Sequence, residues 1–539
     1  MRLFSFIKKK KRINTLRSIW GKQIDKHRNF DLIASYHNML DSEGNELFVD
    51  GKTWNDLDFD SIFTKMDRNI SGVGQQYLYH LLHKYESDED ILKKRFNLVS
   101  HLKGNQELRE KIQLNLFGIS DVSAYFIACL VLSKSIPNTK YYPLFIVSSI
   151  LTVIFLSLIF VNGNFLFAAL ALLLANLIIN RVSSNRIYDY FAGFSSLNAL
   201  IISAISIGNI KTDLQIADVE FLKQKRNLLT SLKKKLGYLV IDKEELNDLA
   251  QTSIEYLNMF LLFDVIAYYR SVNILLKYQN EIRTVFECVA NLDASISIAS
   301  YLEENKSYST PTFNNSGLIS FKNLYHPLIE NAIPNTVENL THSVLVTGSN
   351  MSGKTTFIKT VGISFILSQT FYFSLAQEFY IPKLIVKSAI RRDEELEEGK
   401  SYFFAEIESI NNFIKLSVEK NKYLFLIDEI FRGTNTIERL ASSTSVLKYL
   451  DINSKALVTT HDIELQDMLE NNFKMFHFSE QVENGVFFFN YKIKEGPCSS
   501  GNAIKLLEIM KYPHSITTEA NLIVKALLSN GSFVNKAKT

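Results

Sequence analysis

The forty residues from Tyr141 to Asn180 contain no Asp, Glu, Lys or Arg and are bracketed by Lys140 and Arg181. A run of that length has to leave water, either as a buried helix pair in a large core or by inserting into a bilayer. It divides at Asn162-Gly163-Asn164 into 143–161 and 165–179, and a turn-forming Asn-Gly-Asn between two apolar stretches predicts a tight helical hairpin. At about 1.5 Å per residue the first stretch reaches roughly 28 Å, close to the hydrocarbon thickness. The second is shorter and contains Asn176, so it needs local thinning of the bilayer or snorkelling by Arg181. A soluble helical hairpin shows polar residues along one face, so two transmembrane helices are the expectation. Lys134, Lys140, Arg181 and Arg186 lie beyond the outer ends while the turn carries no charge. The positive-inside bias then puts both long arms in the cytoplasm and the protein in the cytoplasmic membrane.

With 539 residues the chain is too long for one core, and its length suggests about three or four folding units. Only 8 Pro and 21 Gly interrupt it, as in a helix-rich folded chain. Cys129, Cys288 and Cys498 are far apart and form no CxxC pair, which argues against a disulfide framework or a zinc site and fits a reducing compartment. The net charge of +3 leaves no broad basic field, so any nucleic-acid surface is local. The opening MRLFSFIKKKKR lacks the apolar run of a cleaved secretory signal. It reads either as a solvated basic tail or as a segment drawn to anionic lipid through Lys8, Lys9, Lys10, Lys11 and Arg12.

Before the hairpin, Leu78, Leu81, Leu82, Ile91 and Leu92 recur at helical spacing, and 181–304 is again helical with few breakers. Beyond Pro311 the pattern changes. Short β-rich runs at 343–347, 423–427 and 456–460 alternate with helices, which predicts an α/β unit with a largely parallel sheet.

The chemistry is concentrated there. Gly348-Ser349-Asn350-Met351-Ser352-Gly353-Lys354-Thr355 fits G-x-x-x-x-G-K-[ST], follows an apolar strand and precedes an apolar helix, and Thr356, next to it, joins these residues as a nucleotide-binding candidate. Glycines let backbone N–H groups curl around phosphate, the helix N-terminus adds positive potential, Lys354 reaches the β and γ phosphates, and Thr355 holds Mg²⁺. The strand 423–427 ends in Asp428-Glu429. Asp428 then serves the Mg²⁺ shell and Glu429 orients and deprotonates the attacking water. A third strand delivers His461 to the same sheet edge, where it is a candidate sensor of the γ-phosphate.

These segments resemble the MutS family of DNA mismatch-repair ATPases. TGSNMSGKTT at 347–356 looks like its Walker A, DEIFRGTNTIERLA at 428–441 its DELGRGTST element, SYFFAEI at 401–407 its signature segment and TTHD at 459–462 its switch. Tyr325-His326-Pro327 and SSGNA at 499–503 also match. ECVANLDASISIASYLEEN at 287–305 resembles the lever helix, and MDRNISGVGQQYL at 66–78 the start of the helical core. The resemblance implies a multidomain α and α/β chain: a helical core and lever region interrupted by the transmembrane hairpin, then a P-loop ABC-type ATPase domain.

The corresponding division is a basic segment 1–60, a first part of the core 61–120, an apolar insertion 121–182, a core and lever region 183–315, an ATPase domain 316–528 and a tail 529–539. The resemblance further implies ATP with Mg²⁺, a homodimer through the ATPase domains in which Ser401 touches the γ-phosphate of the partner's nucleotide, Thr434 to Thr436 near that interface, DNA as a ligand, and other repair proteins as partners. The residues before the core match are too few for the family's mismatch-reading domain, so direct mismatch recognition is not expected. Ala332 stands near where relatives carry an aromatic that stacks on adenine. A transporter ATPase is disfavoured because no LSGGQ-type segment is present. A membrane scaffold that switches protein contacts without DNA is the other alternative.

Overall fold

A computed structural model describes residues 2–40, 47–132, 140–212, 214–237, 257–349, 351–390, 402–483, 486–498, 504, 507–508 and 510–529. The chain forms two compact units: Met1–Asn45, Met66–Leu81 and Asn97–Glu304 make the first, and Glu46–Lys65, Leu82–Phe96 and Asn305–Thr539 the second. These units cut across the sequential division, since stretches on either side of residue 70 belong to the same unit as the C-terminal α/β region.

The first unit is helical. Its organising element is Gln279–Glu304, buried without interruption from Leu292 to Leu302. A helix surrounded on every side needs its polar residues satisfied, and this one is joined to the segment 66–71. Asp293 accepts from the Ser71 N–H at 2.8 Å, the Ser71 hydroxyl at 2.6 Å and the Ile70 N–H at 3.2 Å. Ser297 accepts from the Arg68 N–H and donates to the Met66 carbonyl, while Arg68 pairs with Glu304. Gly74 is required here: a Cβ on it would meet Asp293 Oδ2 at 2.3 Å. The two segments whose sequences resemble lever and core are therefore one packed assembly.

The apolar hairpin folds as Tyr142–Leu158 and Phe165–Gly208, which pack together. The turn lies at Asn162 to Asn164, with the Phe165 N–H on the Asn162 carbonyl and the Asn164 N–H on the Asn162 side chain. The second helix does not stop near 179. It runs unbroken for 44 residues to Gly208, with no proline to interrupt it, and at its far end Phe194, Leu197, Leu200, Ile201, Ala204 and Ile207 are buried among the helices of the first unit.

The second unit holds two sheets. Strands β1 (Thr312–Asn314), β2 (Ile319–Leu324), β3 (Asn335–Leu340) and β5 (Glu378–Pro382) form one in the order β1-β5-β2-β3. The other contains β4 (Ser343–Thr347), β6 (Ile385–Ala389), β7 (Tyr423–Asp428), β8 (Lys455–Thr460), β9 (Phe473–Glu483) and β10 (Val486–Glu495), in the order β10-β9-β4-β8-β7-β6. All its pairings are parallel except β9 with β10. β4, β7 and β8 are buried along almost their whole length, as strands covered on both faces must be.

The exposed edge of β6 is closed by the early chain. Asp56 accepts from the Ser388 hydroxyl at 2.6 Å and the Ile390 N–H at 2.9 Å, and the Val386 N–H reaches the Tyr85 hydroxyl. Asp50 caps the short helix Gly51–Asp56 and pairs with Lys387 at 2.9 Å. An unpaired edge invites association with another strand, and these side chains satisfy its donors instead.

Candidate functional site

The three parallel strands β4, β8 and β7 end side by side, with Thr347 opposite Thr460 and Asp428 opposite Thr459. Ligand sites of open α/β sheets lie beyond the carboxyl ends of the strands, and every chemically loaded segment of the second unit begins there. After β4 the backbone passes Gly348 at φ 144° and Gly353 at φ 102° and enters the helix Lys354–Phe371. A Cβ at Gly348 would meet the Phe478 carbonyl oxygen at 2.7 Å, so both the angle and the space demand glycine.

Lys354 is buried and donates to the Gly348 and Ser349 carbonyls at 2.7 and 2.8 Å, bending over the loop that precedes it. The hydroxyls of Ser349 and Ser352 are buried with no hydrogen-bond partner among the described residues. Buried donors without partners are uncommon and call for a ligand. A glycine-shaped loop, two orphaned hydroxyls, a buried ammonium and a helix N-terminus together suit a polyphosphate.

Asp428 is held from two sides. Its Oδ2 accepts from the Thr355 hydroxyl at 2.9 Å and its Oδ1 from the Thr459 hydroxyl. A hydroxyl and a carboxylate oxygen brought together at the phosphate loop are the hard oxygen donors that Mg²⁺ takes. Glu429 has a left-handed backbone, φ 60°, pinned by its N–H on the Thr459 carbonyl at 2.9 Å. Such a conformation in a non-glycine residue persists only where surrounding contacts fix it, and it clusters at functional positions. The Glu429 carboxylate pairs with Arg432, and its Oε1 is 3.4 Å from His461 Nδ1. Below it, Asp462 holds Arg439 through two bonds of 2.8 and 2.9 Å, fixing the segment that carries His461.

A cleft of about 740 Å³ runs along this edge and is lined by Ser349, Met351, Ser352, Gly353, Lys354, Thr355, Thr356 and Glu429. The sequence-derived candidates thus converge on one place, with His461 reaching it through Glu429 rather than lining the cleft. Asn350, Ser401 and the 499–503 segment lie outside the described residues.

Of the far wall, the sequence marks His326 and Ala332 but not Asn335, Phe489 or Tyr491. His326, Ala332, Asn335, Phe489 and Tyr491 line it. Tyr491 has φ 52° at an irregularity in the pairing of β10 with β9. Asn335 fixes it there, donating to the Tyr491 carbonyl at 3.0 Å and accepting from the Ile493 N–H at 2.8 Å. The Tyr491 ring stands against Gly353, whose missing side chain makes room for it. Ala332 offers no ring to a base, while Tyr491 and Phe489 supply aromatic surface in the same cleft. Burial, reinforced by Lys359 and Lys65, lowers the His326 imidazole to about 4, so it is neutral near pH 7 and its Nδ1 accepts from the Leu328 N–H.

Residues 344–528 match the family profile described as MutS domain V. The DNA mismatch repair protein MutS of Lactobacillus acidophilus is 31% identical over 275 residues, covering 48% of this chain and 32% of that protein. Its counterpart from Lactobacillus delbrueckii subsp. bulgaricus is 31% identical over 257 residues, covering 45% and 30%. That of Listeria innocua serovar 6a is 27% identical over 364 residues, covering 65% and 39%. The chain therefore spans 30–39% of the length of these relatives.

Proposed function

We propose that this chain, whose C-terminal half is of the MutS type, is a membrane-anchored ATPase that couples nucleotide state to its hold on DNA. The observation that carries the ATPase reading is the Thr355–Asp428 pair beside the orphaned Ser349 and Ser352 hydroxyls, all at one sheet edge. Lys354 and the loop N–H groups bind and orient the polyphosphate. Mg²⁺, when bound, neutralises charge on the phosphate oxygens, with Thr355 and Asp428 to hold it. Glu429 receives the proton of the attacking water, and His461 and Arg432, both beside its carboxylate, set its position. Tyr491 and Phe489 offer the base a stacking surface.

Exposed apolar side chains of the second unit favour a dimer of the kind the resemblance implies. Met351 beside the loop, Phe404 and Ile407 on Tyr402–Leu416, and Ile437 on Thr436–Asn453 are all exposed, and exposed large apolar groups near a functional edge mark contact surfaces.

The membrane reading draws on the hairpin. Phe165–Val182 is long and apolar enough to cross a bilayer, with a mean hydropathy of 2.1 and 11% of it buried. Tyr142–Leu158 is apolar but shorter. A buried core pair would be covered, whereas Phe160 is 94% exposed and Phe167 78%. The reading has the hairpin in the cytoplasmic membrane and the nucleotide site facing cytoplasmic ATP. DNA enters because the relatives are DNA mismatch repair proteins.

The test is ATP turnover by the detergent-solubilised full chain, expected in wild type and absent in Lys354→Ala, alongside carbonate-resistant membrane association that disappears when 141–180 are deleted. A soluble wild-type protein would remove the membrane from the reading and leave the ATPase. DNA affinity is expected to fall steeply with salt through phosphate contacts; no binding at low salt would remove DNA.

A further inference from the structure

The long apolar hairpin carries a buried amide in its second helix, Asn176, and one partner of that amide, the Phe260 carbonyl, lies in a segment about eighty residues later, at 257–263. We infer that residues 257–263 form a third membrane-inserted element, a shallow re-entrant segment whose outer face meets the acyl chains of the leaflet nearest Arg181. The inference rests on the bilayer reading of the hairpin.

The backbone is helical over 257–261, breaks at Leu262 with φ 54°, and resumes as Phe263–Lys277. Such a break deprives the last carbonyls of the first piece of their helical donors. Side chains of the hairpin supply three replacements. Asn180 Nδ2 donates to the Asn258 carbonyl at 3.1 Å, Asn176 Nδ2 to the Phe260 carbonyl at 2.7 Å, and Ser149 Oγ to the Leu261 carbonyl at 2.8 Å. Asn176 is itself fully satisfied, accepting from the Ser148 hydroxyl at 2.6 Å and donating to Thr152 Oγ1 at 2.9 Å. In water these carbonyls would need no such help. In hydrocarbon, irregular backbone is tolerated only where protein groups take up its polar atoms. The asparagine that weakens the second apolar run is thereby explained.

The same bonds fix the depth. Asn180 directly precedes Arg181, and Asn176 lies one helical turn further in, about 6 Å. Asn258 meets the hairpin at the Asn180 level and Phe260 at the Asn176 level, and the Asn258 side chain donates to Asp264 at 3.2 Å, closing the base of the loop where the charges resume. The segment enters and returns on the same side. Its sequence is LNMFLLF. Asn258 and Leu262 are buried, whereas Leu257 is 50% exposed and Phe263 49%, so the segment presents apolar side chains outward as the hairpin does at Leu174 and Ile178. A loop packed on a soluble helix pair would turn polar groups outward.

The experiment uses the full chain reconstituted in phosphatidylcholine–phosphatidylglycerol vesicles containing phospholipids with a photoactivatable diazirine, placed near the carbonyl end or at the terminal methyl of the acyl chain. Adducts are mapped by mass spectrometry. The carbonyl-end probe is expected to label 257–263 at a level comparable to 174–180, and the terminal-methyl probe to label it severalfold less than residues near 170. Labelling of the hairpin with 257–263 no more labelled than the 455–472 region would overturn the inference and leave the membrane reading intact. Labelling of neither would overturn both.

Discussion

Thr355, on the first turn after the glycine loop, donates its hydroxyl to Asp428 at the end of β7 over 2.9 Å, although 73 residues separate them. This bond ties the glycine loop to the strand whose next residue is Glu429. Removing either partner should loosen the cation rather than the fold. Thr355→Ala and Asp428→Asn are expected to raise the Mg²⁺ concentration for half-maximal turnover by at least about tenfold, given that even supporting partners of metal ligands matter this much. Turnover titrated with Mg²⁺ at fixed ATP checks it, and an unchanged midpoint in both variants would count against the assignment.

The aromatic wall gives a separable effect. Stacking on a base is worth about 1–3 kcal/mol, so Tyr491→Ala should weaken ATP binding by roughly 5- to 150-fold, and Tyr491→Phe should leave it near wild type. Equilibrium titration with ATP reads this directly. Equal affinities for the alanine variant and wild type would show that the base lies elsewhere.

How far all this was readable in advance depended on the length of the interaction. β4, β7 and β8 were visible because strands buried on both faces must be continuously apolar, and the turn at Asn162 to Asn164 because its residues favour that conformation. Tyr491 was invisible, since its importance comes from a pairing irregularity and from Asn335, more than 150 residues away. The closure of β6 by Asp56 and the docking of 257–263 on Asn176 are likewise contacts across long sequence separations that leave no local period. The second helix of the hairpin was cut short because its composition changes at Arg181 while its backbone does not.

Asp56 offers a stability test. It is 1% exposed and its two donors, Ser388 Oγ and Ile390 N, would be left buried without it. Asp56→Ala should cost about 2–3 kcal/mol and lower the denaturant midpoint of the second unit, followed by the fluorescence of Trp54. A change within error would mean that the β6 edge is satisfied by other groups.

His326 sets a pH dependence. Its imidazole, lowered to about 4 by burial and then by Lys359 and Lys65, resists protonation in the folded chain but not in the unfolded one. Between about 4 and 6.5 the unfolded state therefore binds more protons, and this contribution grows as pH rises and is lost as pH falls through the same window. It amounts to at most about 3 kcal/mol. His326→Gln should flatten the stability profile between pH 4 and 6.5, measured by denaturant unfolding. An unaltered slope would contradict the burial argument.

The central claim is that one sheet edge binds ATP through Lys354 and hydrolyses it through Glu429, and it separates into binding and turnover. The decisive measurement is ATP affinity and single-turnover hydrolysis on the same preparations of wild type, Lys354→Ala and Glu429→Gln. Lys354→Ala should lose tight binding, whereas Glu429→Gln should bind ATP within a fewfold of wild type and hydrolyse it slower by about two orders of magnitude or more, the scale of losing a general base. Wild-type hydrolysis by Glu429→Gln, or undiminished ATP binding by Lys354→Ala, would contradict the account.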